Sequence, residues 1–163
     1  MTGRHGQDRD ERAELAREAL TMILYVSVVL LAALVALPDD LQFDLLAVVW
    51  GTAVGLALAH WFAFRVSARL FGDGRLQFRD AQVAAVQVLA AIVVALVASL
   101  PLLFTSDEAG AEVATIELAA VIGLAGYQTA RRGGAGHGRA MAAGITTLAL
   151  GGLVVMVKAL VSH

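Results

Sequence analysis

Apolar residues run almost unbroken through five parts of this chain, at 19–37, 45–64, 83–104, 113–130 and 140–161, with short polar segments between them. About 20 apolar residues at about 1.5 Å rise each cross a hydrocarbon core of about 30 Å. The fourth run is the shortest and holds Glu117. Strands of a membrane barrel alternate apolar and polar positions, whereas these runs are continuous, so they predict helices. The expected fold is all-α: a polytopic membrane protein built as a bundle of five transmembrane helices. Residues 1–18 mix Arg with Asp and Glu and read as a polar segment, helical over about 9–20, leading into a five-helix domain at 19–163. No small-x-small cleavage site ends the first run, so it reads as a retained span rather than a signal peptide.

The polar segments alternate in charge. Arg4, Arg9, Arg12 and Arg17 precede the first span, and the first loop holds Asp39, Asp40 and Asp44 with no basic residue. Arg65, Arg69, Arg75 and Arg79 follow, then Asp107, Glu108 and Glu112, then Arg131, Arg132 and Arg139. Lys and Arg are retained on the cytoplasmic side, which predicts a cytoplasmic amino terminus and an outside carboxy terminus. The same alternation requires the fourth span, because without it the arginines after residue 130 fall on the wrong side.

Small residues recur at helical spacing in three spans. Span two has Gly51, Gly55 and Ala59; span four has Ala119, Gly123, Gly126 and Ala130; span five has Ala140, Gly144, Thr147 and Gly151. Lipid tails are as apolar as Leu, so helices associate through close packing of small residues and through polar contacts. Spans two, four and five are therefore expected to form the tight part of the bundle, with the Leu- and Val-rich spans one and three towards lipid. The short loops predict antiparallel hairpins from spans one and two and from spans three and four. Pro101 is expected to kink or end span three. The glycine-rich run 133–138 lacks the Lys-Ser/Thr ending of a phosphate loop and predicts a flexible connector beside Arg131, Arg132 and Arg139.

Composition narrows the chemistry. Of 163 residues 59% are hydrophobic and none is Cys, which excludes disulfides and thiolate metal sites. Eleven of the twelve basic residues are Arg, in a chain heavy in Ala, Gly and Val. That usage points to a GC-rich bacterial genome, and hence to a multi-pass protein of a bacterial plasma membrane.

Ionisable and amide groups inside spans are costly, and they mark candidate sites. Glu117 and Lys158 lie near the acidic end of spans four and five. At 100° per residue Glu117 points away from the small face of span four, so a pair with Lys158 requires that face to meet span two. Lys158 also has the option of snorkelling to the headgroups. Towards the arginine-bearing end, His60, Gln87, Tyr127 and Gln128 share a depth. Together Glu117, His60, Gln87, Gln128 and Lys158 outline an ion or proton path. One His without carboxylate or His partners is a weak metal signal, so no metal and no cofactor is expected. There is no Gly-x-Ser-x-Gly elbow and no His-Glu-x-x-His, so an enzyme is not expected. Two readings follow: an oligomeric cation or proton transporter or channel subunit, or a non-catalytic scaffold or accessory subunit that binds another membrane protein. The partners implied are the lipid bilayer and either further copies or a second membrane protein, with no nucleic acid.

Overall fold

The structure, a computed structural model, describes residues 3–37, 44–71, 78–105 and 107–162. It is all-helical, in the order α1 (Gly3–Val35), α2 (Leu45–Phe71), α3 (Phe78–Phe104), α4 (Asp107–Arg132) and α5 (His137–Ser162). Each contains a stretch long and apolar enough to cross a membrane: Glu11–Val35, Leu45–Val66, Ala81–Phe104, Ala109–Arg132 and His137–Val157. The polar amino-terminal segment is continuous with the first span as one helix of 33 residues. At about 1.5 Å per residue that helix is about 50 Å long, well beyond a hydrocarbon core.

Local chemistry accounts for the helix ends. Asp44 accepts a hydrogen bond from the Ala47 amide through Oδ1 at 3.2 Å, capping α2 at the third amide of its first turn. Helix α3 runs one turn past Pro101, and the Pro101 carbonyl accepts from both the Thr105 amide (3.0 Å) and the Thr105 hydroxyl (2.7 Å). Pro101 thus lies within the last turns of a helix that continues to Phe104, instead of ending it outright.

The connector between α4 and α5 is tighter than the sequence implies. The Ala135 amide reaches the Ala130 carbonyl and the Gly134 amide reaches the Arg131 carbonyl, both at 3.0 Å, with Gly134 at φ +83°. This is a Schellman turn, whose left-handed residue is favoured as glycine. Arg131 seals it by donating to the Ala135 carbonyl at 2.8 Å. Gly134→Ala is expected to lower stability by about 1–2 kcal/mol, the cost of a Cβ in the left-handed region; denaturant titration of the purified protein in micelles checks this.

Packing departs from expectation in where the middle of the bundle lies and in how α2 sits. Helices α1, α3 and α4 form the middle, with α1 touching all the others, while α2 and α5 flank them. Of the most apolar eighteen residues of each helix, 39% are buried in α1 and α3, 28% in α4, 17% in α5 and 11% in α2. Helix α2 leans on α3 and touches α1 only lightly, so the expected hairpin of spans one and two is loose. Spans one and three are thus not the lipid-facing pair. The reason lies in α3: Ala91, Ala95 and Ala98 line its buried face, while Leu89, Leu96, Leu100 and Leu103 point outward. The alanines admit the neighbouring helices and the leucines are left to solvate in lipid. Met22, Val26 and Leu30 of α1 and Leu118 and Ile122 of α4 fill the space between.

Helices α4 and α5 approach most closely where their glycines meet. A methyl built on Gly144 would lie 2.8 Å from the Gly123 carbonyl oxygen, and one on Gly126 would lie 3.1 Å from the Ala143 carbonyl oxygen and run into Thr147. Gly151 faces Ile122 and Val28. On α2 the situation is reversed. Gly51, Gly55 and Ala59 are exposed, and a Cβ at either glycine meets nothing within 4 Å. This face of α2 is therefore open at Gly51 and Gly55 among the described residues, with Ala59 exposed beside them.

Candidate functional site

The polar groups fall into three places. The first joins α1 to α3 at the arginine-bearing end. Glu18 lies on the same stripe of α1 as the buried Met22 and Val26, because four-residue steps stay near one helical face. Its Oε2 accepts a hydrogen bond from Gln87 Nε2 at 2.9 Å, and Gln87 is buried. Both polar groups thereby leave water with a partner. His60 and Trp61 of α2 line a narrow crevice with Gln87, Met22, Ala57, Ala84 and Val88. His60 itself is exposed. One turn further along α2, the Arg65 guanidinium stands over the Trp61 ring, 5.3 Å from its centroid.

The second place is the α4–α5 turn, where the Tyr127 hydroxyl and His137 Nδ1 share a hydrogen bond of 3.0 Å. Gln128, next to Tyr127, is exposed. The third is Glu117 on α4, half-buried, with Oε2 shielded from solvent and without a hydrogen-bond partner. The side chain of Lys158 lies outside the described residues, as do the acidic loop positions Asp39 and Asp40.

Of the residues suggested by sequence, His60 and Gln87 come together in the crevice. Tyr127 turns instead to His137 and Gln128 to the exterior. Between Glu117 and the Glu18–Gln87 pair the interior is apolar, with Val26, Leu30, Leu118 and Ile122 fully buried. Two buried serines lie in this bundle without linking the ends: Ser99 donates to the Ala95 carbonyl at 2.6 Å, and Ser27 Oγ has no partner. Among the described residues no group of three His, Asp or Glu side chains is placed to hold a metal ion.

No protein-family model, curated protein or solved structure matches the chain.

Glu18 is the residue that sequence reasoning misses, because it falls in the charged amino-terminal segment and reads as solvated. A signal is present all the same: Glu18, Met22, Val26 and Leu30 are spaced by four, so the acid continues the apolar stripe of α1. Chemically, the Glu18–Gln87 pair is a clamp between two helices. His60, exposed beside Gln87, and Arg65, stacked on an aromatic face, keep donors available there.

Proposed function

We propose that the chain is a multi-pass protein of a bacterial plasma membrane, with a cytoplasmic amino terminus and an outside carboxy terminus, acting as a non-catalytic scaffold or accessory subunit. The orientation rests on the alternation of arginine-bearing and acidic segments. The observation that carries the role is an apolar layer: fully buried Val26, Leu30, Leu118 and Ile122 lie between Glu117 and the Glu18–Gln87 clamp. An ion crossing that layer would shed its hydration against hydrocarbon side chains, at a cost of several kcal/mol or more. What the protomer offers instead is surface, above all the outward small-residue face of α2, which permits close approach of another helix. Lipid, further copies of the chain and a second membrane protein are the partners that such faces accept.

One observation favours the transport reading. Glu117 Oε2 is buried without a partner, the condition in which a carboxylate would accept a cation or proton from a neighbouring subunit. Proton and monovalent-cation flux in proteoliposomes separates the two. Under the scaffold reading the native protein leaks no faster than empty vesicles, and mild-detergent purification recovers a stoichiometric membrane partner. Flux in the native protein that Glu117→Gln abolishes at equal expression would replace this reading with an oligomeric transporter.

A further inference from the structure

A groove of about 380 Å³ lies between α2 and α3, lined by Trp50, Ala53, Val54, Leu58, Val88 and Ile92 among others, with Trp61 at its arginine-bearing end. Its size falls within the about 300–1,000 Å³ of ligand clefts. From Trp50 to Trp61 it follows α2 for eleven residues, about 16 Å at 1.5 Å per residue. Trp61 is also a wall of a second hollow, of about 290 Å³, formed with Phe62, Arg65 and Val66. The two share one side chain and differ in chemistry: hydrocarbon walls first, then a guanidinium.

Arg65 is half-buried against the Trp61 ring and makes no hydrogen bond or ion pair with the described residues. A guanidinium stacked on an aromatic face keeps its in-plane N–H donors free, and their fork matches phosphate oxygens. Glu18 of α1 is hydrogen-bonded to Gln87. An apolar groove that opens onto an unpaired cation is complementary to an amphiphile with a negative head.

We propose that this groove binds one anionic phospholipid, with an acyl chain along Trp50, Val54, Leu58 and Ile92 and the phosphate at Arg65. A bare apolar groove accepts any lipid, whereas Arg65 makes the site selective for headgroup charge. Selectivity of about fivefold over a zwitterionic lipid is expected, equivalent to ~1 kcal/mol for one basic residue near a charged headgroup.

The chain supplies its own reporter, because its two tryptophans both line the groove. The full-length protein is reconstituted in phosphatidylcholine vesicles, and tryptophan fluorescence is followed as lipids with brominated acyl chains replace the matrix lipid. Brominated phosphatidylglycerol is expected to quench half-maximally at about one fifth the mole fraction that brominated phosphatidylcholine needs. Arg65→Gln is expected to bring the two curves together, and Arg65→Lys to keep part of the difference. Ala57→Phe, which narrows the groove, is expected to reduce quenching by both lipids. Superimposable curves for the two lipids in the native protein overturn the proposal. So does a preference that survives Arg65→Gln, which would assign selectivity to other arginines, and so does an absence of quenching by either lipid, which would mean that a second copy or another helix covers the groove.

Discussion

Gly144→Ala is expected to destabilise the bundle by about 1–3 kcal/mol, the usual cost of overpacking a close-fitting interface. The added methyl would stand 2.8 Å from the Gly123 carbonyl oxygen. That neighbour is backbone, so no rotamer change relieves the contact and the two helices must move apart. Such a movement also weakens the dispersion and Cα–H···O contacts that hold small-residue seams in lipid. Gly126→Ala, facing the Ala143 carbonyl at 3.1 Å as well as Thr147, should behave similarly. The same methyl at Gly51 or Gly55 has open space around it and is expected to stabilise by about 0.5–1 kcal/mol, because glycine within a helix is conformationally costly. Reversible unfolding in mixed micelles of increasing SDS fraction reads all four variants. Opposite signs on the two faces are the expected result. Equal destabilisation at Gly51 and Gly144 would mean that α2 is as tightly packed in the native assembly as α5, and would favour an oligomer closed through α2.

The second large effect concerns the clamp between α1 and α3. Gln87→Ala removes the donor to Glu18 and leaves a partly buried carboxyl without its partner, so a loss of about 1–3 kcal/mol is expected. Glu18→Ala should cost a similar amount, because Gln87 is buried and its amide is left without its acceptor. In a double-mutant cycle the two substitutions should couple by about 1 kcal/mol, within the range of interhelical hydrogen bonds in membranes. Additivity within about 0.3 kcal/mol would reduce the pair to a geometric neighbour relation with no energetic role.

The glycine seam and the clamp differ in how far residue spacing alone reveals them. The seam of Gly123, Gly126, Gly144 and Thr147 lies where its spacing places small side chains, on the facing surfaces of α4 and α5. Gly51, Gly55 and Ala59 have the same spacing, yet they are exposed and the two glycines have open space where a Cβ would stand. Spacing declares that a face permits close approach; whether a partner occupies it depends on the rest of the bundle. The alanine stripe of α3 is hidden for a related reason. Ala91, Ala95 and Ala98 are interleaved with large residues, so average hydropathy reads the helix as uniformly lipid-like, although one face is core and the other is not.

Among the polar residues the limits are similar. Depth along each span puts His60 and Gln87 at one level, and both line one crevice. Depth carries no information on rotation about the helix axis, which sends Tyr127 to His137 and Gln128 outward. Glu18 escapes notice because it precedes the apolar run by one residue, and a charge at that boundary looks solvated until the phase of Met22 and Val26 is considered.

By itself the sequence determined the five long apolar helices, their approximate bounds and the alternation of charge between their ends. Each of these depends on residues adjacent in the chain, through backbone hydrogen bonding and the thickness of a bilayer. Only the tertiary structure decided that α1, α3 and α4 form the middle, that α2 leans on α3 with a groove between them, and that Glu18 meets Gln87. Those outcomes depend on which faces of different helices meet. In a chain whose faces are nearly all apolar, hydrophobicity cannot choose between them, and the fit of particular small and polar side chains does.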